Sequence, residues 1–331
     1  MDRRSVIGKL ALGILAVPRL APAQPQRKVY RIGVLIHSAM TSDRVGPQPR
    51  VQSVTALLQG LRGLGYVYGE HFVTEPRGAE GKPERLPGLA AELVRLQVDV
   101  IVAPGPALGA LKQATSTIPV VMTAAGDPVA EGYVQSLSRP GGNFTGLSTQ
   151  TQEVVGKRLE LLKELVPGAA PVAVLWDPRG GRLPWQAAES AARKRGWKLL
   201  SLEISDASEI EPAFKAATAA RAGALLVSTG GVQDAHAQRV AELAAKSRLP
   251  AMYGLRFYVD AGGLISYSAD LIALYRRGAV FVDKIVKGAK PADLPVEQPT
   301  RFDLVINLKA ARSIGLTIPQ QLLSRAAEVI Q

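Results

Sequence analysis

The sequence predicts an α/β protein of two similar lobes, each a parallel sheet covered by helices, joined by a hinge. Three observations carry this expectation. Short apolar runs alternate with amphipathic helical runs along a chain of 331 residues. The order of runs repeats at an offset of roughly 130 positions, near the size of one small domain. There is no cysteine, so disulfides, thiolate metal sites and a thiol nucleophile are excluded, and the fold rests on packing.

The first copy begins with YRIGVLI (Tyr30 to Ile36), an apolar run of strand length. Gln52 to Leu64 reads as a helix closed by Gly65. Phe72 to Pro76 reads as a strand. Pro83 to Leu96 reads as a helix, with Leu86, Leu89, Leu93 and Leu96 on one face. Asp99 to Ala103 is a buried strand, followed by a helix through Ala114 and a strand from Ile118 to Thr123.

The second copy repeats the order. Val172 to Trp176 is a strand, Trp185 to Arg195 a helix closed by Gly196, and Trp197 to Ile204 a strand. A helix follows, opened by a predicted capping box of Ser208 and Glu211. Gly223 to Ser228 is a strand, Val232 to Lys246 a helix and Pro250 to Tyr253 a strand. Details recur between copies: Gly65-Tyr66 matches Gly196-Trp197, and Ile118-Pro119 matches Leu249-Pro250. Each copy is thus a Rossmann-like lobe. The connection between them falls near Phe144 to Thr149. A tail helix carries Leu271, Leu274, Gly278, Val282 and Ile285 on one face. An extended stretch (Pro291 to Pro299) and a last strand, Phe302 to Ile306, follow. The expected division is 28–147 plus about 254–296 for the first lobe, and 148–253 plus about 297–331 for the second.

The N-terminus orders a basic segment with Arg3, Arg4 and Lys9, an apolar run (Leu10 to Val17) and the small-residue pattern Ala21-Pro22-Ala23. That order reads as an export signal, residues 1–23, cleaved after Ala23 by the twin-arginine or the general route. Its apolar run is too short to span a bilayer. The expected location is therefore the periplasm.

The net charge is +12, but Lys and Arg are dispersed among Glu and Ala, with no basic run interleaved with aromatics. Such dispersal gives a soluble surface rather than a phosphate track, so no nucleic-acid partner is expected.

In open parallel sheets, small molecules bind beyond the carboxyl ends of the strands. The candidate ligand-binding residues at those positions are His37, Ser38, Gly105, Pro106, Ala107, Gly126, Asp127, Pro128, Asp177, Thr229, Gly230, Tyr253 and Tyr267. Each has a plainer alternative. The Gly-Pro loops are turn chemistry, Asp127 has the choice of capping a helix or meeting a ligand amine, His37 suits a surface or cap position, and the two tyrosines suit a core. No catalytic residue, metal or cofactor is expected. His37, His71 and His236 lack metal-ligand spacing, and neither a G-x-S-x-G elbow nor a phosphate-binding G-x-x-x-x-G-K-[ST] loop occurs.

Blocks along the whole chain carry a family resemblance. They include Arg31-Ile32-Gly33-Val34-Leu35, Gly60-Leu61-Arg62-Gly63-Leu64-Gly65-Tyr66, Gly126-Asp127-Pro128-Val129, Ser138-Arg139-Pro140-Gly141-Gly142-Asn143, Gly156-Lys157-Arg158-Leu159-Glu160, GAKPADLPVEQP (Gly288 to Pro299) and Val305-Ile306-Asn307-Leu308-Lys309. On these the chain resembles the ABC transporter substrate-binding proteins that include tryptophan- and tyrosine-binding receptors, with the type I periplasmic-binding-protein fold. The resemblance implies a non-catalytic receptor, expected to be a monomer, that traps a small molecule between its lobes and delivers it to an inner-membrane ABC permease. An amino acid or related compound is one option for the ligand. A periplasmic sensor subunit and an exported enzyme on the same scaffold are the alternatives. Two departures from the family pattern bear on the ligand: Gly105-Pro106 stands where Gly-Thr-Pro is usual, and Asp177 where Asn is common.

Overall fold

The computed structural model describes residues 28–38 and 40–331; the predicted export segment and its cleavage site lie outside them. The first sheet contains β1 (Tyr30–Ile36), β2 (Phe72–Gly78), β3 (Val100–Pro104), β4 (Val120–Ala125) and β5 (Phe144–Ser148). They run parallel in the order β2-β1-β3-β4-β5. Helices α1 (Gln52–Gly63), α2 (Leu86–Arg95) and α3 (Gly105–Ala114) connect them.

The second unit runs α4 (Thr151–Leu165), β6 (Val172–Trp176), α5 (Leu183–Arg193), β7 (Leu199–Glu203), α6 (Ile210–Ala219) and β8 (Ala224–Val227). It continues through α7 (Val232–Ala235), α8 (Ala237–Lys246), β9 (Ala251–Tyr253), α9 (Phe257–Asp260) and β10 (Ile265–Ser268). The chain then forms α10 (Leu271–Val286), β11 (Asp303–Asn307), α11 (Leu308–Ser313), α12 (Gln320–Leu323) and β12 (Glu328–Ile330). The second sheet has the order β12-β11-β10-β9-β8-β6-β7.

Alternation along the strands sorts the cores, because successive side chains point to opposite faces. Ile32, Val34 and Ile36 of β1 join α1 and α10 in one cluster, while Leu35 turns to α2 and α3. In β6, Val172, Val174 and Trp176 meet α4, while Ala173 and Leu175 meet α6 and α8. Gly60 lets α1 and α10 cross closely: a Cβ there would stand 2.6 Å from the Arg276 carbonyl oxygen.

Four expectations are corrected. The second sheet is mixed, since β11 pairs antiparallel with β10. The cause is the path of the chain: it leaves β10 to place α10 on the first sheet, then returns and enters β11 from that same end. Second, β9 and β10 both belong to the second sheet, and α10 packs in the first core. The crossing near 254 therefore falls after Ser268 instead, and residues 254–268 stay with the second unit. Third, the helix expected from Val232 to Lys246 is broken at His236, whose backbone (φ −117°, ψ 33°) leaves the helical region. Fourth, the capping box uses Asp206 and Glu209, which precede the predicted pair by two residues.

The units are joined three times: between β5 and α4, between β10 and α10, and through 297–303. The last is tied to the first crossing. The Ser148 N–H donates to the Glu297 carbonyl at 2.9 Å, and the Glu297 N–H to the Gly146 carbonyl at 2.9 Å. No helix among the described residues is long and apolar enough to cross a membrane.

Candidate functional site

The loops that follow β2 and β3 in the first unit meet the loop and short helix that follow β8 in the second. Gly81, at φ 74°, approaches α7 so closely that a Cβ on it would lie 2.6 Å from Ala235 Cβ. A Cβ on Gly230 would lie 3.6 Å from Pro106 Cγ. This is where the sheet topology places a ligand, and the units are in contact here.

From the first unit, His37 reaches this junction through its backbone. Its carbonyl accepts the Gly81 N–H at 2.7 Å, and Thr41 Oγ1 accepts the Gly78 N–H at 2.9 Å. The imidazole is buried, and neither ring nitrogen has a hydrogen-bond partner. Burial, and then the nearby Arg44 guanidinium, push its pKa down to about 4, so the ring is neutral at neutral pH. Ser38 beside it is exposed. Gly105 and Pro106 open α3, with Pro where the first helical turn tolerates a missing N–H. Ala107 lies under them in the core.

Gly126, Asp127 and Pro128 sit on the side of the hinge. Ser148 Oγ donates to the Gly126 carbonyl at 3.4 Å. Asp127 Oδ1 accepts the Ala130 N–H at 3.0 Å, and the Asp127 N–H donates to Glu131 Oε1 at 2.9 Å. The carboxylate thus caps the turn that follows it, the plainer of its two expected roles.

In the second unit, Asp177 is committed to structure. Its carboxylate takes both arms of Arg179 (Nη2 at 2.9 Å, Nε at 3.1 Å) and the Val232 N–H at 3.2 Å, which anchors the start of α7. Thr229 and Gly230 are half-buried at the end of β8. Tyr253 is not brought to the junction: its ring turns into the second unit's core and stacks on Tyr258 at 4.8 Å. The Tyr267 ring stacks on Phe302 at 5.7 Å.

Three residues that the candidate set lacks hold this end of the second sheet together. Arg158 of α4 is buried. Its Nε donates to the Tyr267 carbonyl at 2.7 Å and its Nη2 to the Gly254 carbonyl at 2.8 Å. Asp234 of α7 accepts the Gly230 N–H at 2.6 Å and the Tyr258 hydroxyl at 2.8 Å. Burial raises the Asp234 pKa to about 6, against the pull of those donors and of Arg158. Burial lowers the Arg158 pKa to about 10. Gln233 is fully buried. Its Nε2 donates to Ser228 Oγ at 3.0 Å, and its Oε1 has no partner.

Arg158 left a trace in the sequence. It lies three or four positions from Val154, Val155, Leu161 and Leu162, so its charge falls on the buried face of its helix. Gln233 and Asp234 left none, because an unbroken α-helix was expected there.

Comparison with known proteins bears on the family and the fold. The family described as ABC transporter substrate binding protein matches residues 45–330. A tyrosine-binding protein of Clostridioides difficile is 26% identical over 263 residues, covering 78% of this chain and 75% of that protein. A conserved domain protein of Vibrio cholerae superposes with a TM-score of 0.82 at 27% identity, covering 91% of this chain and all 100% of that one. The ABC domain of Streptococcus pneumoniae in complex with L-Trp gives a TM-score of 0.80 at 27% identity, covering 92% of this chain and 100% of that one.

Proposed function

The chain belongs to the ABC transporter substrate-binding proteins, and we propose that it serves its transporter as a non-catalytic, monomeric receptor of the periplasm that closes two lobes over a small solute. The transport role and the two-lobed type I fold come with the family.

The observation that carries the reading is the meeting of the two units at the carboxyl ends of their strands. Gly81 abuts Ala235 and Gly230 abuts Pro106, while among the described residues three chain segments link the two sheets. Such a joint rotates by changes in a few backbone dihedrals, and a solute between the lobes stabilises the closed state by its differential contacts. The candidate site comprises His37, Ser38, Gly105, Pro106, Thr229 and Gly230 at the junction. Arg158, Asp177 and Asp234 hold its walls. Gly126, Asp127 and Pro128 form its hinge side. Aromatic amino acids are the first solutes to try, since one relative is named for tyrosine and another was crystallised with L-Trp.

The deciding experiment purifies the exported protein without denaturation and weighs it by native mass spectrometry. A thermal-shift screen of amino acids, sugars and polyamines follows. A solute that binds only the native state raises Tm by mass action. Recovery of a bound solute in altered form would replace this reading by an exported enzyme. N-terminal sequencing tests the export: the expected first residue is Gln24, and a retained Met1 refutes periplasmic release.

A further inference from the structure

We propose that Gln150 is the pivot of the hinge and that its backbone is held strained while the lobes touch, so that the empty receptor is biased open and a solute must offset the strain to close it. The proposal rests on the receptor reading and adds to it what sets the resting state.

The first crossing turns on this one residue. Up to Thr149 the chain is fixed to the first unit: the Thr149 N–H and hydroxyl both donate to the Ala125 carbonyl, at 2.7 and 3.0 Å. Beyond it the chain is fixed to the second unit. The Gln150 carbonyl accepts the Val154 N–H at 3.1 Å and so opens α4, whose Leu159 and Leu162 lie in the second core. In the third crossing, Glu297 is pinned to the first unit by its backbone bonds to β5. Its carboxylate also takes both arms of Arg277 of α10, at 2.7 and 2.8 Å. In the second crossing, Asp270 has ordinary extended backbone (φ −72°, ψ 103°) and caps α10. Gln150 reaches across as well: its Nε2 donates to the Pro299 carbonyl at 3.4 Å, which couples the first crossing to the third.

Gln150 lies at φ 51° and ψ 48°, in the left-handed region, where a side chain is strained. It is the one residue of the three crossings with a positive φ. Elsewhere, Gln97, Arg221 and Arg248 share this conformation, but they follow the ends of α2, α6 and α8, where left-handed backbone is a usual way to close a helix. Glu80 stands beside Gly81 at the junction. Gln150 is instead the N-cap of α4, where extended backbone is the rule, and its side chain makes no capping bond. Local helix chemistry therefore does not call for this conformation. The placement of two units in contact, with Gly81 against Ala235 and Gly230 against Pro106, does. Strained residues of this kind persist only where their surroundings over-determine them, and they collect at switches. Parting of the lobes lets Gln150 relax, which lowers the free energy of the open state relative to the closed one.

The test reads the lobe distance in the full exported protein without solute. The sequence has no cysteine, so Val45→Cys and Glu203→Cys, both at exposed positions on opposite units, carry a spin-label pair for double electron–electron resonance. Gln150→Gly should raise the ratio of closed to open molecules about fivefold, about 1 kcal/mol. Gln150→Val, with a β-branch that suits left-handed backbone worse, should lower it. Gln150→Ala keeps the strain and drops the Pro299 contact, so it should not close the lobes. Gln97→Gly relieves the same strain away from the hinge and should leave the distances alone. Gly81→Ala, which forces the junction apart, is the reference for a mobile hinge. Should Gln150→Val fail to fold, Gln150→Gly decides. Unchanged populations in the Gln150 variants, beside a longer distance in Gly81→Ala, overturn the pivot and leave hinge closure standing. Closing by Gln150→Ala or Gln97→Gly as large as by Gln150→Gly overturns it as well. One fixed distance in every variant, Gly81→Ala included, overturns hinge closure with it.

Discussion

Replacing Gly81 with Ala separates lobe closure from fold stability. In the contact of the two units, the new methyl would stand 2.6 Å from Ala235 Cβ. Carbon atoms pack best at about 3.5–4.0 Å, so the units must part by roughly 1 Å. Overpacking of this kind costs about 1–3 kcal/mol, which weakens solute binding by about 5- to 150-fold if binding needs the contact. A second effect is separate. Gly81 sits at φ 74°, where a side chain costs about 1 kcal/mol. That strain is present whether the lobes touch or not, so it appears in unfolding and not in affinity. Ala235→Gly removes the opposing methyl and should restore affinity in the double variant while the lower stability persists. Calorimetric titration with the solute found by screening, together with small-angle scattering, reads both quantities. Wild-type affinity in Gly81→Ala, or no rescue by Ala235→Gly, would refute the closed junction as the binding state.

Three further outcomes are expected. Asp127→Asn should keep both solute affinity and Tm, because an amide oxygen still accepts the Ala130 N–H, whereas Asp127→Ala should lose about 0.5–2 kcal/mol in urea unfolding. Asp177→Ala should destabilise by about 1.5–3 kcal/mol and weaken binding as well, since Asp177, 1% exposed as a side chain, anchors both Arg179 and the start of α7. The third outcome concerns pH. Asp234 titrates near 6 when folded against 3.8 as a free group, so the folded state binds the extra proton and stability falls as pH rises from about 4 to 6, by roughly 3 kcal/mol. His37 is shifted the other way, to about 4 from 6.5, so its contribution grows by roughly 3 kcal/mol over nearly the same range. The two contributions oppose each other over that range. His37→Phe should expose the falling slope and Asp234→Asn the rising one, in equilibrium unfolding from pH 4 to 7; equal slopes in all three proteins would remove the assigned shifts.

Much of the scaffold was legible because its signals are local. The strand YRIGVLI and the Leu-spaced helix before Asp99 announce themselves through burial on both faces or one. The repeat of this order named two units. The strands β5, β10 and β12 escaped; the segment of β5 was read as the connection between lobes, and shortness is not the reason, since β8 and β9 are as short as β10 and β12 and were found. Tyr253 was nominated from its place at a strand end, yet the pleat turns its ring to the core side, where Tyr258 waits. Asp127 was read with two roles open, and the position of the Ala130 N–H, which no sequence pattern records, supplies the capping bond.

By itself the sequence determined the alternation of strand and helix, the doubling of the unit, the absence of cysteine chemistry and the family resemblance, since periodicity, composition and motif are properties of neighbours along the chain. Tertiary structure alone decided where the chain recrosses between units, that Arg158 and Asp234 are buried supports, and that the His37 ring nitrogens and Gln233 Oε1 are buried without a partner. Those facts depend on groups far apart in sequence meeting in space, and on the energetic demand that buried polar atoms find partners, which no local pattern records.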